Sequence, residues 1–324
     1  MNHFMFAFNA LMPLLLMAFI GYMMRRSRLI DRRFVDQLNT YVFTIALPAL
    51  IITTFIGIGD FSTIRWDVVG FAVFAVFSIA LMGLLIAKSL TTDASYKPVV
   101  TQAFFRGNFT LIGIPLALRL GGDETVQMII ILNAVLIPIT NLLSIMTFKL
   151  WQVKKDEKLH LKDLAFTTLK NPLMIAVFLG GVAYALIEGL NLPPQSPVIV
   201  YETFNLLSMT ATPMALIAIG AQFELNRITA IKKPLMVSVL GRAILVPLLV
   251  IILGMLLRDY VQFSGSIAAL IGIFASSVAV SSVAVTKGLN GDETFASQVV
   301  IFSTGFSVFT IFLIVIVFRI IGLL

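Results

Sequence analysis

The sequence predicts an all-α polytopic membrane protein, and three observations support this prediction. The 324 residues are 59% hydrophobic and only 12% charged, whereas a soluble domain is about a quarter charged. Apolar stretches of about 20 residues recur along the chain, the length that a helix needs to cross roughly 30 Å of hydrocarbon. The basic residues concentrate in the short segments between these stretches. The net charge of +7 therefore indicates membrane orientation and not nucleic-acid binding.

Ten transmembrane helices are predicted, at residues 4–24, 35–56, 67–88, 98–120, 124–148, 171–189, 198–222, 234–257, 265–287 and 293–318. The first ends in the basic sequence MMRRSRLIDRR without a small-residue cleavage site, so it is interpreted as a retained helix and not as a signal peptide. The chain contains no cysteine, which excludes disulfides, thiolate metal sites and a cysteine nucleophile.

The distribution of Lys and Arg predicts the orientation of these spans. Loops that follow odd-numbered spans contain 17 of the 23 basic residues, and the opposite side contains four. Because basic loops remain in the cytoplasm, both termini are expected outside, in a multi-pass protein of the cell membrane. The remaining two basic residues, Arg106 and Arg242, lie within spans 4 and 8.

Sequence similarities between the two halves predict an inverted repeat. The motif GGDET at 121–125 recurs as NGDET at 290–294, an offset of 169 residues. ALPALII at 46–52 resembles ATPMALI at 211–217, and the start of span 1 resembles that of span 6. Spans 1–5 thus match spans 6–10. Since five is odd, the second copy enters the membrane from the opposite face, as in many secondary transporters.

Span 4 contains residues that disfavour a continuous helix. Gly107, Gly113 and Pro115 are expected to break it, with the break itself at Pro115 and residues around 281–283 of span 9 opposing it. Non-helical backbone is tolerated at membrane depth only where protein or a water-filled cavity satisfies it. Spans 4 and 9 are therefore expected to line a cavity where they cross.

The two arginines within spans suggest an anionic ligand. Arg106 lies about eight residues into span 4, roughly 12 Å along a helix, and Arg242 lies about as deep in span 8. A buried cation requires a partner, yet no Asp or Glu lies in the middle of a span. An anionic substrate would complement these charges. The alternatives are snorkelling of the long side chain and capping of the free carbonyls of a broken helix.

The segment NFTLIGIPLA at 108–117 resembles the signature of the auxin efflux carrier family, which includes the plant PIN proteins and many bacterial organic-acid carriers. The resemblance implies a scaffold of spans 1, 2, 6 and 7, a transport core of spans 3–5 and 8–10, anionic substrates, elevator-like alternating access and a homodimer. Two features depart from the PIN pattern. Ser282 stands where PIN proteins have a proline in span 9, and the cytoplasmic loop 149–170 is short. The loop separates a first repeat, 1–148, from a second, 171–324.

Candidate substrate-binding residues are polar groups in or beside the expected crossing. An amide within a membrane has few structural uses and can donate to a carboxylate, which makes Asn108 the leading candidate. Single Ser and Thr residues more often bond a carbonyl of their own helix. The full predicted set is Asn108, Arg106, Asn133, Ser281, Ser282, Ser277, Thr212 and Ser303.

These observations predict a secondary transporter for a small organic anion, a mono- or dicarboxylate such as malonate or malate. Two alternatives remain: a sodium-coupled organic anion symporter of the bile-acid-transporter type, and a membrane receptor that does not transport. An enzyme is not expected, because the chain has two histidines and lacks the HExxH, Walker A and GxSxG motifs. No cofactor or metal is predicted, and coupling to H⁺ or Na⁺ stays open.

Overall fold

The computed structural model describes residues 3–57, 64–91, 93–151, 172–193, 195–222 and 233–324. The helices in these ranges are α1 (His3–Arg26), α2 (Arg32–Tyr41), α3 (Leu47–Ile56), α4 (Trp66–Leu90), α5 (Lys97–Phe105), α6 (Ile114–Trp151), α7 (Pro172–Gly189), α8 (Val198–Met209), α9 (Ala211–Ala221), α10 (Lys233–Leu240), α11 (Val246–Leu256), α12 (Ile267–Phe274), α13 (Ser281–Gly288) and α14 (Glu293–Ile320). No strand occurs in these ranges, so the predicted all-α class is confirmed for them. Most of the predicted loop 149–170 lies outside the described residues.

Three π-helical turns interrupt the α-helical pattern. They lie at Val42–Ala46 between α2 and α3, at Phe109–Gly113 before α6, and at Gly241–Leu245 between α10 and α11. Such turns are rare and often occur at functional sites, because the additional residue shifts the helical register locally.

Eight helical stretches in the described part of the chain are long and apolar enough to cross a membrane. This confirms a protein with several membrane-spanning helices, although the count is below ten. The difference arises in two places. The stretch Phe109–Trp151 counts as one, although Gly122 within it has a φ of 72° and interrupts the helix. The other is the pair α12 and α13, with eight residues each, which are too short to cross individually.

Span 4 is broken, but not at Pro115. Helix α5 ends at Phe105, residues 106–108 are non-helical, and the π-turn Phe109–Gly113 leads into α6. Pro115 is the second residue of α6, where a missing backbone N–H does no harm. The predicted position of the break is therefore corrected by about eight residues towards the N-terminus.

Span 9 is broken as well, without a proline. Helix α12 ends at Phe274 and α13 begins at Ser281, so the break precedes Ser282. The expectation that residues 281–283 lie opposite the break in span 4 is wrong by a few positions. Val278 is the residue that pairs with span 4, through an antiparallel bridge to Gly107.

Helix packing divides into two groups of contacts. In one group, α1 packs on α9, and α3 packs on α7 and α8. In the other, α4, α5 and α6 contact one another, α10 contacts α5 and α14, and α12 contacts α6. Contacts of α1 with α14 and of α3 with α6 connect the groups. The broken helices α5, α12 and α13 thus lie among the second group.

Candidate functional site

The non-helical segments of spans 4 and 9 meet as two antiparallel pieces of extended backbone. The N–H of Asn108 donates to the carbonyl of Ser277 at 2.7 Å, and the N–H of Ala279 donates to the carbonyl of Arg106 at 2.9 Å. These two bonds flank the bridge between Gly107 and Val278. Each broken helix therefore satisfies part of the backbone that the other leaves unpaired, as the low-dielectric interior requires.

Two of the predicted serines hold this crossing together. The hydroxyl of Ser303 accepts from the N–H of Val278 at 3.1 Å, and Ser277 accepts a bond from the hydroxyl of Thr304 at 3.1 Å. Both Ser277 and Ser303 are fully buried. Their contacts are with the backbone of the break and with α14, which indicates a structural role in the arrangement described here.

Gly113 allows a close helix contact and does not cause the break. A Cβ atom on Gly113 would lie 2.8 Å from the carbonyl oxygen of Gly272, and a Cβ on Gly272 would lie 2.8 Å from the carbonyl oxygen of Gly113. Real Cβ contacts are essentially never that short, so any side chain at either position would separate the two backbones. Gly113 and Gly272 thus let α12 approach the start of α6. Of the predicted helix-breaking residues, only Gly107 lies within the break.

Arg242 caps carbonyl groups at the ends of both broken helices. Its Nε donates to the carbonyl of Ser276 at 2.8 Å, its Nη1 to that of Phe104 at 2.9 Å, and its Nη2 to that of Ile273 at 2.9 Å. Only 1% of the residue is exposed. Capping of a broken helix, one of the alternatives predicted for this arginine, is therefore confirmed.

A polar cavity of about 460 Å³ lies beside the crossing. Its lining comes from α2 and the π-turn after it, from both non-helical segments, from α6 and from the first residues of α7. The polar and charged residues that line it are Asn39, Thr40, Thr44, Arg106, Asn108, Thr110, Thr140, Asn141 and Ser281. Apolar lining comes mainly from Phe43, Phe109, Ile137 and Leu173.

Arg106 brings its positive charge to this cavity and is held there by neutral groups. Its Nη1 donates to Oδ1 of Asn141 at 2.7 Å and to the hydroxyl of Ser144 at 3.4 Å, and its Nη2 donates to the hydroxyl of Ser281 at 3.3 Å. Its Nε has no partner. Among the described residues, no carboxylate pairs with Arg106, and the ion pairs found there lie at helix ends.

Asn108 combines a structural contact with an unused donor group. Its side-chain Oδ1 accepts from the N–H of Leu111 at 3.2 Å and so caps the helix that follows the break. Its side-chain Nδ2 is buried and has no hydrogen-bond partner within the described structure. Because a buried donor without a partner costs free energy, an acceptor that enters the cavity would find a favourable position here.

The remaining predicted residues do not line the main cavity. Asn133 is buried beside a separate space of about 10 Å³, room for at most one water molecule. Ser282 is buried in α13 with an unpartnered hydroxyl. Thr212 is partly buried in α9 and lines none of the cavities described here. The structure therefore brings Arg106, Asn108 and Ser281 together and leaves the other five predicted residues outside the cavity.

Sequence reasoning passed over several residues that contact Arg106 or the cavity. Thr140, Asn141 and Ser144 lie on one face of α6, at spacings of one, three and four residues. This polar face within an apolar helix was a usable signal. Asn39 and Thr40, near the end of α2, gave no comparable signal, because polar residues are ordinary next to a basic loop.

The site can hold and orient an anion but offers no evident catalytic group. One guanidinium, one free amide and several hydroxyls converge on a cavity with partly apolar walls. Within the described residues, no group of three or more His, Cys, Asp or Glu side chains is positioned to hold a metal ion. A helical membrane protein with a polar cavity beside two broken helices has the features of a membrane transporter.

Comparison with known families agrees with this class. The sequence model of a family described as "Membrane transport protein" matches residues 6–315, nearly the whole chain. The protein therefore belongs to this membrane transport family, and the resemblance to auxin efflux carriers is confirmed at the level of the family. No curated protein sequence matches the chain significantly.

Proposed function

We propose that this protein is a secondary transporter that carries a small organic anion across the cell membrane. The proposal extends the family assignment, which supports membrane transport without naming a substrate. The substrates that we favour are mono- and dicarboxylates such as malonate or malate, the acids suggested by the resemblance to bacterial carriers of the family.

The observation that carries the proposal is the state of Arg106. Its guanidinium lines the cavity, only 7% of the residue is exposed, and its hydrogen bonds go to neutral groups. Removing a charge from water costs several kcal/mol in an apolar medium, and an opposite charge offsets that cost. A carboxylate bound in the cavity would supply the counter-ion and could also accept from Nδ2 of Asn108.

The proposal includes ten spans in a 5+5 inverted repeat, and the crossing supports it. The motif offset of 169 residues superposes Lys97–Phe105 on residues 266–274, almost the range of α12. The same offset relates Asn108 to Ser277, whose backbones are hydrogen-bonded to each other. In a structure with two-fold pseudosymmetry, equivalent residues can contact each other only at the symmetry axis. An axis through Asn108 and Ser277 is what an inverted repeat requires.

For the transport step we propose elevator-like movement of a core, spans 3–5 and 8–10, against a scaffold of spans 1, 2, 6 and 7. The two groups of helix contacts follow this division. The cavity is lined by both groups and approaches helix ends that adjoin basic loops, including Thr40 after Arg33 and Pro172 after Lys170. This arrangement corresponds to a cavity open to the cytoplasm. A homodimer is also proposed, from the family resemblance alone.

Uptake into proteoliposomes tests the transport function. We expect the purified protein to move at least one of malonate, malate, lactate and indole acetate, and each acid is measured with and without Na⁺ and a pH gradient. Protein-free vesicles and the Arg106→Gln variant are the controls. Binding without uptake would indicate a receptor instead, and strict dependence on Na⁺ would favour the sodium-coupled symporter.

Cysteine labelling tests the proposed orientation, and it is clean because the chain has no cysteine. Cysteine in place of Glu157, in the predicted cytoplasmic loop, should react with an impermeant maleimide only after the cells are permeabilised. Labelling of intact cells at this position would contradict the topology with both termini outside.

A further inference from the structure

Both broken helices end in the interior of the protein with carbonyl groups that need donors. Helix α5 ends at Phe105 and helix α12 at Phe274, and the last four carbonyls of any helix have no partner within it. The end of a helix also carries about half a negative charge. Span 9 has to maintain this open end although Ser282 stands where the related carriers have a proline.

One side chain from a third helix satisfies both ends. The guanidinium of Arg242 donates to the carbonyl of Phe104 from the end of α5, and to the carbonyls of Ile273 and Ser276 at and after the end of α12. Its Nη2 also donates to the hydroxyl of Ser276 at 3.2 Å. Three directions in one plane are addressed at once, which the planar fork of arginine permits and the single ammonium of lysine does not.

The surrounding backbone leaves room for this guanidinium. A Cβ atom on Gly107 would collide with Nη2 of Arg242 and lie 2.7 Å from its Cζ. A Cβ atom on Gly241 would collide with the ring of Phe104. Arg242 itself lies in the π-turn Gly241–Leu245, which shifts its register relative to α10. Gly107, Gly241 and the π-turn thus together accommodate one side chain.

We propose that Arg242 is a positioning residue that also determines the charge preference of the transport site. Two helix ends of about half a negative charge each are balanced by roughly one positive charge. The opposite halves of the broken helices begin beside the cavity, at Asn108 and Ser281, with their positive ends. With the negative ends neutralised, an anion in the cavity meets those positive ends and Arg106. The inference rests on the proposed transport of an anion.

The test compares each acid of the uptake panel with its neutral amide as a competitor: malonamide, malamide, lactamide and indole acetamide. The variants are Arg242→Lys, which keeps the charge, and Arg242→Gln, which removes it. We expect Arg242→Gln to lower the preference for acid over amide by about 3- to 30-fold, the range expected for charge at a helix end. Arg242→Lys should keep most of the preference while lowering the maximal rate, because it cannot bond all three carbonyls.

The controls separate this role from a purely structural one. Arg258→Gln removes an exposed arginine at the opposite end of α11 and should leave the preference unchanged. If Arg242→Gln does not fold, Gly107→Ala displaces the guanidinium while retaining the charge, and it should also lower the preference. An unchanged acid-to-amide preference in whichever of these variants folds would overturn the inference, even with slower uptake. If the wild-type protein moves none of the acids, the proposed function fails first.

Discussion

Arg106 and Arg242 are both buried in the membrane interior, yet their surroundings differ. Arg242 is 1% exposed, and its hydrogen bonds go mainly to backbone carbonyls at the ends of α5 and α12. Arg106 is 7% exposed, lines a cavity, and donates to the side chains of Asn141, Ser144 and Ser281. Helix ends carry partial negative charge, whereas amides and hydroxyls are neutral. The same residue type thus stabilises the fold in one place and awaits an anion in the other.

The largest effect that separates the two arginines should be on stability. Arg242→Met leaves three buried carbonyls without donors, and each unsatisfied group costs about 1–3 kcal/mol. We expect a loss of at least about 3 kcal/mol, measured by thermal unfolding in detergent. Arg106→Met should change the melting temperature much less, because its partners line a cavity that water can enter. Equal losses in the two variants would remove the distinction.

The second effect concerns transport and should reverse the order of the two arginines. Arg106→Gln is expected to raise the KM for the transported acid by about 10- to 150-fold, the equivalent of one hydrogen bond to a charged group. The protein should still insert and unfold cooperatively. Arg258→Gln, at an exposed position, is the matched control. Normal uptake by Arg106→Gln would mean that this guanidinium only snorkels or supports α6.

Substitution of Asn108 can separate its cap from its free amide. Asn108→Asp keeps an oxygen that accepts from the N–H of Leu111 but replaces the unpartnered Nδ2 donor with a negative charge. We therefore expect near-normal stability and a KM at least about 10-fold higher. Asn108→Ala removes the cap as well and should lower both affinity and stability. Wild-type affinity in a folded Asn108→Asp protein would move the substrate away from the crossing.

The smallest expected effect is on the group that orients Arg106. Asn141→Leu removes an acceptor 2.7 Å from Nη1 and should raise the KM by about 2- to 10-fold, as expected for one ordinary hydrogen bond. Asn141→Asp sharpens the comparison, because a fixed carboxylate would give Arg106 a permanent partner. That variant should bind the acid more weakly than Asn141→Leu does. Tighter binding by Asn141→Asp would argue against an anionic substrate.

Composition and local pattern alone predicted much of this protein. Apolar length and the distribution of Lys and Arg predicted a helical membrane protein, since both express the cost of polar groups in hydrocarbon. Gly107 and the segment that begins at Asn108 located the region of the first break. The absence of acidic residues in the middle of the spans directed attention to Arg106 and Arg242 as unpaired charges.

Tertiary structure decided what the sequence left open at the crossing. Arg106 and Arg242 lie at similar depths in their spans, and no local pattern says which will reach carbonyl groups and which a cavity. That choice depends on where the ends of α5 and α12 meet in space, about 170 residues apart in the chain. The break was expected at Pro115, but a proline near the start of a helix costs little. The pairing of Gly107 with Val278, a contact between distant segments, determines where both helices stop.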